Sequence, residues 1–202
     1  MTVIETRPSA PVQMARPDVA AAVAAAERML AALGVDTQVE HLRRTAERMV
    51  LSYGEVLTPA PFEATDFVND AKHQGFVIVR DVAFAAICAH HLLPFVGSAT
   101  VGYLPGARLL GLSKLTRLVE HATRGLQVQE NVTQQIADGL QQVVPDNGGM
   151  GVIVEAEHLC MTLRGAKARG ASTVTSAWRG ALERDVSVRS EFLSLAGRGW
   201  RP

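Results

Sequence analysis

The chain has 202 residues, enough for one domain with its own core and too few for a second large one. Lys and Arg number 20 against 20 Asp and Glu, so net charge is zero and the broad electrostatic attraction of a nucleic-acid or anionic-membrane binder is absent. Any anion must be held locally. A hydrophobic share of 48% with 20% charged residues is ordinary for a soluble globule, and no apolar run approaches the roughly 20 residues that crossing a bilayer needs.

Residues 1–16 carry Pro8 and Pro11 without hydrophobic periodicity or a cap signal, so a flexible tail is expected there. Val19, Val23, Ala26, Leu30 and Leu33 follow helical spacing after Asp18, and Gly34 stands where a left-handed C-terminal cap belongs. This Ala-rich stretch resembles a signal core only superficially: Asp18 precedes it, Glu27 and Arg28 interrupt it, and no basic segment abuts it. A cytoplasmic protein is expected. Thr37 and Glu40 read as a capping box for a second helix carrying Leu42, Ala46, Met49, Val50 and Tyr53 and ending near Ser52.

After a Pro-bearing loop, Gly75–Arg80 and Ser98–Leu104 read as strands. Ser113 is expected to open a third helix carrying Leu115, Leu118, Val119 and Ala122. A fourth carries Val128, Val132, Ile136, Leu140 and Val143 until Pro145 stops it. Past the Asp146-Asn147-Gly148-Gly149 turn, Gly151–Arg164 and Ala171–Leu182 read as long strands, followed by a short helix near Val188–Leu195. Strands and helices fall in blocks, so the expected class is α+β with a largely antiparallel sheet.

Chemistry concentrates in two short segments. Cys88-Ala89-His90-His91 and His158-Leu159-Cys160 hold both cysteines and half of the six histidines. Two thiolates and an imidazole are the number and kind of ligands a catalytic zinc takes while keeping a fourth position for water. Cys88, His91 and Cys160 are the proposed ligands; the alternatives are a Cys88–Cys160 disulfide, or separate residues serving the core. In an extended strand, His158, Cys160, Thr162 and Arg164 would alternate onto one face, with His158 free to move protons and Arg164 placed to hold an anion.

Gly111-Leu112-Ser113-Lys114 puts a small polar cap and a lysine at a helix N-terminus, where free N–H groups suit a phosphate. Lys114, Arg117 and Arg124 recur at helical spacing, reading either as a basic stripe for a polyphosphate or as solvated cations around an ordinary cap. Glu130 beside Gln129 would complement a helix dipole or accept N–H bonds from a ligand.

The segments Cys88-Ala89-His90-His91-Leu92-Leu93-Pro94, Gly111-Leu112-Ser113-Lys114-Leu115 with Arg117, Leu126-Gln127-Val128-Gln129-Glu130, and Glu155 through Gly165, with Thr173-Val174-Thr175-Ser176 and Glu191-Phe192-Leu193, together resemble zinc-dependent GTP cyclohydrolase I. The likeness runs from about residue 19 to 196. It implies a tunnelling fold (T-fold) of antiparallel strands and paired helices, in a single domain over 17–202 with N-terminal helices in 17–56 and a catalytic core in 75–196. It also implies a toroidal homodecamer with active sites between subunits, and conversion of GTP and water to formate and 7,8-dihydroneopterin triphosphate.

Carried over by position, the resemblance implies zinc on Cys88, His91 and Cys160, with His90 and His158 handling protons. Glu130 and Gln129 would read the guanine edge, and Ser113, Lys114, Arg117, Arg164 and Arg44 would surround the triphosphate. Neither nucleic acid nor membrane is implied. The pattern departs from the family at Ala89, where an acidic residue is usual, at His41-Leu42 in place of Thr-Pro, and at Gly125 and Asn131, where basic residues are usual. A divergent paralogue that binds metal and nucleotide and regulates a partner is the alternative reading.

Overall fold

The computed structural model describes residues 17–59 and 61–197, which fall into two compact units divided near residue 60. The expected N-terminal tail lies outside the described residues. Among those residues, no helix is long and apolar enough to cross a membrane.

The first unit holds helix α1 (Val19–Ala32) and helix α2 (Thr45–Leu57). Asp18 caps α1, accepting the Ala21 N–H at 3.0 Å. The helix ends as its sequence predicts: Gly34 is left-handed at φ +80°, the Gly34 N–H reaches Ala31 O and the Val35 N–H reaches Leu30 O, both at 3.0 Å. The expected capping box does not form. Asp36 accepts the Gln38 N–H at 2.9 Å, Glu40–Leu42 makes one tight 3₁₀ turn, and α2 begins only at Thr45, running past Ser52. A local Asx turn has taken precedence over helix initiation at Thr37.

The second unit is built on a five-stranded sheet in the order β5-β2-β3-β6-β7: β2 (Val77–Cys88), β3 (Pro94–Leu104), β5 (Leu126–Gln127), β6 (Gly149–His158) and β7 (Thr173–Gly180). The four long strands are antiparallel, and β5 adds a two-residue parallel pairing, Ile87 with Leu126 and Cys88 with Gln127. A separate two-stranded ribbon pairs β1 (Asp66–Val68) with β4 (Arg108–Leu110). The class is α+β, as expected.

One face of the sheet is covered by two helices, α3 (Leu112–Thr123) and α4 (Gln129–Val143). Leu115, Leu118 and Val119 of α3 and Val132, Ile136 and Leu140 of α4 pack with Phe95, Val101, Tyr103, Val152 and Val154 from the strands. A Cβ at Gly139 would stand 2.7 Å from Leu118 Cδ1, so the helices approach closely where α4 has no side chain. A smaller cluster joins Leu182, on the single turn α6 (Ala181–Arg184), to the C-terminal helix α7 (Val186–Ala196), whose Phe192 meets Phe76 and Trp178 edge-on at 5.5 and 5.6 Å.

Two strand expectations need correction. β2 continues past Arg80 to Cys88 through an irregularity between Val79 and Val82, where Asp81 is left-handed at φ +55°. β6 stops at His158, and Leu159–Thr162 is a single helical turn, α5, so the expected alternation of His158, Cys160, Thr162 and Arg164 on one extended face does not occur. The strand ends where its partners do. Its β3 ladder closes at Phe95 against His158, next to Pro94, which has no N–H, and β7 pairs only as far as Ala156.

Tyr103, fully buried, accepts the Leu110 N–H at 2.7 Å through its hydroxyl. Tyr103→Phe should destabilise the protein by about 1–3 kcal/mol, read from the midpoint of urea unfolding, because that N–H loses its protein acceptor in the interior. Burial also holds the phenol above its ordinary 10.0. As pH rises past about 10 the unfolded chain therefore ionises first and stability falls; Tyr103→Phe should remove that part of the slope.

Candidate metal centre

Cys88 ends β2 and opens a tight turn into β3. Its N–H donates to Leu93 O and its carbonyl accepts the Leu92 N–H, each at 2.9 Å, with Leu92 left-handed at φ +54°. The Ala89 N–H donates to Gln127 O of β5 at 2.9 Å, so the short parallel strand pins the turn. Within this turn Cys88 Sγ lies 3.8 Å from His91 Nδ1. A four-coordinate ion with bonds of about 2.3 Å to sulfur and about 2.0 Å to nitrogen would hold those atoms about 3.5 Å apart.

Cys160, on the helical turn α5, completes the group. Ligand atoms of Cys88, His91 and Cys160 all lie within 4.8 Å of one another, and the two cysteines are free thiols. Cys88 is buried, Cys160 half-buried and His91 exposed, so the cluster is closed on its sulfur side and open on its imidazole side. Burial pushes the Cys160 thiol above its ordinary value and the neighbouring Cys88 adds to the shift, while the Arg164 guanidinium pulls it down. Two sulfurs and a nitrogen in a pocket that resists a second thiolate fit a borderline divalent cation, whose charge would stabilise both sulfur anions.

His158 stands on the same face of the sheet as Cys88, opposite Phe95 in register. Its ring stacks on Phe95 with centroids 4.6 Å apart and planes 3° apart. Its Nε2 lies 2.7 Å from Oε1 of Gln129, a residue only 1% exposed. Burial lowers the His158 pKa below its ordinary value, against the raising influence of the Glu130 carboxylate. His158 is thus a half-buried imidazole held on two sides.

The remaining candidates are exposed or half-buried, and one belongs to the other unit. His90, in the β2–β3 turn, is exposed and meets the His91 ring edge-on at 6.2 Å. Glu130 is exposed in the first turn of α4, and Arg164 is exposed just beyond α5. Ser113 is not the cap of α3: Gly111 occupies that position, no side chain caps the helix, and Ser113 lies in its first turn. Ser113 and Arg117 are exposed and Lys114 half-buried, opposite the buried Leu115, Leu118 and Val119. Arg124 is drawn to Glu120 at 3.4 Å. Arg44 belongs to the first unit, where its guanidinium makes two bonds to Glu47, at 2.8 and 3.2 Å.

Sequence reasoning passed over Phe95, Thr133 and Thr175. Phe95 follows Leu93-Pro94 directly, but its role depends on a strand register that spacing alone does not reveal. Thr133 reads as an ordinary helix residue, and Thr175 enters only within the Thr173-Val174-Thr175-Ser176 segment, with no role of its own.

A model of the family described as GTP cyclohydrolase I matches residues 22–197. The protein named GTP cyclohydrolase 1 from Synechococcus sp. (strain JA-2-3B'a(2-13)) is 44% identical over 179 residues, covering 87% of this chain and 78% of that one. Its namesake from Halalkalibacterium halodurans is 45% identical over 173 residues, 83% of this chain and 90% of that one. That from Clostridioides difficile (strain 630) is 42% identical over 176 residues, 85% and 92% respectively. Among solved structures, the apo form of an archaeosine synthase, QueF-like, aligns with 54% of this chain and 94% of that chain at TM-score 0.39 and 14% identity. The sequence matches alone carry the assignment: this chain belongs to the GTP cyclohydrolase I family.

Proposed function

We propose that this protein converts GTP and water to formate and 7,8-dihydroneopterin triphosphate, with zinc held by Cys88, His91 and Cys160. The observation that carries the reading is the gathering of those three ligand atoms within 4.8 Å at the sheet end that also presents His158. Relatives named GTP cyclohydrolase 1 over most of the chain support the substrate. When bound at such a site, zinc lowers the pKa of water at its open position to about 7, making hydroxide available at neutral pH.

The protein's own groups do the rest. His158, kept neutral by its surroundings, and His90, exposed beside His91, are the proton carriers for opening the imidazole ring of the base and for the later rearrangement of the ribose. Glu130, whose charge reaches His158, accepts two N–H bonds from the guanine edge and so seats the base beside a proton carrier. Ser113, Lys114 and Arg117 on the outer side of α3, with Arg164, hold the triphosphate. A remote anchor of this kind keeps the substrate in place while base and sugar are remodelled. The zero net charge makes such local cations necessary.

Assembly into a homodecamer with sites between subunits is part of the same proposal. Among the described residues β7 pairs only with β6, leaving an open strand edge that carries the exposed Val174, a surface suited to pairing with another copy. A cytoplasmic setting is consistent with two cysteines kept as thiols.

Purified protein should retain stoichiometric zinc and release formate from GTP together with a pterin that fluoresces after oxidation. Cys160→Ala should lose zinc and turnover together. His158→Ala should keep zinc, measured by plasma mass spectrometry, and lose about 10²–10⁴-fold in kcat. Arg117→Ala should act chiefly on KM, raising it about tenfold, roughly the 1.4 kcal/mol expected of one lost charged contact. Zinc-loaded protein that binds GTP and yields neither product would refute the proposed activity.

A further inference from the structure

We infer that Gln129 fixes the tautomer of His158, acting as a positioning residue and not as a reader of the guanine edge. The inference rests on the proposed activity for its kinetic meaning, and on hydrogen-bond polarity for its geometry.

Gln129 opens α4 and is 1% exposed. Its Nε2 has three neighbours: Val154 O at 3.1 Å, Thr173 O at 2.9 Å and Thr175 Oγ1 at 3.1 Å. Two of these are backbone carbonyls, which only accept. Turning the amide over would set Oε1 against both, so its orientation is determined by the network. The hydroxyls agree. Thr133 donates to Gln129 O at 2.9 Å, which commits its one hydrogen, so the 2.6 Å contact between Thr133 and Thr175 is donated by Thr175. Thr175 Oγ1 is then an acceptor toward Gln129 Nε2, as the chain of bonds requires.

Oε1 therefore faces His158, and an oxygen that only accepts requires a hydrogen on Nε2, 2.7 Å away. In the neutral imidazole the lone pair is then on Nδ1 alone. Phe95, stacked 3° from parallel, fixes the plane in which that lone pair lies. The amide is buried, its NH₂ faces three acceptors and its oxygen is turned to His158, so it presents no group at the surface where a base would sit; that role falls to the exposed Glu130. An imidazole held in one tautomer has a defined nitrogen for taking and returning protons. Where an orienting partner of a catalytic histidine has been replaced so that the tautomer changes, losses of about 10⁴-fold in kcat are known.

The test uses the zinc-loaded full chain labelled with ¹⁵N-histidine at pH 8, with His158→Ala to assign the resonance. Nε2–H is expected for His158 in the parent protein and a mixture of tautomers in Gln129→Met. Steady-state kinetics should show Gln129→Met losing 10²-fold or more in kcat, while KM for GTP and the preference for GTP over ITP, which lacks the exocyclic amino group, change less than threefold. Thr175→Val, which removes one anchor of the amide and keeps the Oε1 contact, should lose less than tenfold and serves if Gln129→Met folds poorly. Nδ1–H in the parent, or a loss confined to KM and GTP preference, overturns the inference. A parent protein that releases no formate would overturn the activity while the spectra still decide the tautomer.

Discussion

Two cysteine sulfurs and an imidazole nitrogen within 4.8 Å, in surroundings that push one thiol above its ordinary pKa, form a cluster that resists carrying two negative charges by itself. A divalent cation would remove that conflict, and much of the surrounding fold brings the three groups to one place. β5 is only two residues long, yet it holds the turn after Cys88 through the Ala89 N–H. β6 ends at His158 because its partner starts at Pro94, and that early ending lets the chain coil back and present Cys160 from a helical turn. The same termination that corrects the expected strand produces the site.

Around this cluster the protein separates tasks by exposure. Groups held in one orientation are buried or half-buried, by hydrogen bonds at Gln129 and Thr133 and by stacking between Phe95 and the ring of His158. Groups assigned to the substrate are exposed: Glu130, Arg164, Ser113 and Arg117. In the proposed reaction a charged ligand would reach the latter without disturbing the former, so that the inner groups stay in register while substrate exchanges with water outside.

Much of this was legible in the sequence because it depends on local spacing. Cys88 and His91 sit three residues apart in a turn, and the helical periods of α1, α3, α4 and α7 are direct readings of apolar repeats. What escaped depended on partners distant in the chain. The second half of β2 contains Ala83, Ala85 and Ala86, weak strand formers, and is held extended by its ladder with β3. Thr37 and Glu40 had the composition of a capping box but lost to the Asp36 turn beside them. The family resemblance puts Gln129 at the guanine edge beside Glu130, and the register of β6 against β7, which spacing does not reveal, brings the carbonyls of Val154 and Thr173 onto its amide. One departure from the family pattern has a local account: Gly125, where a basic residue is usual, is left-handed at φ +84° between α3 and β5, a conformation glycine adopts without strain.

The coordination sphere is the claim on which the rest stands, and X-ray absorption at the metal edge of the purified protein tests it directly. The account predicts one ion per chain with two sulfur neighbours at about 2.3 Å, one imidazole nitrogen at about 2.0 Å and one further light atom. An ion surrounded only by nitrogen and oxygen, or protein whose sulfurs remain free of any tightly held ion, would contradict it.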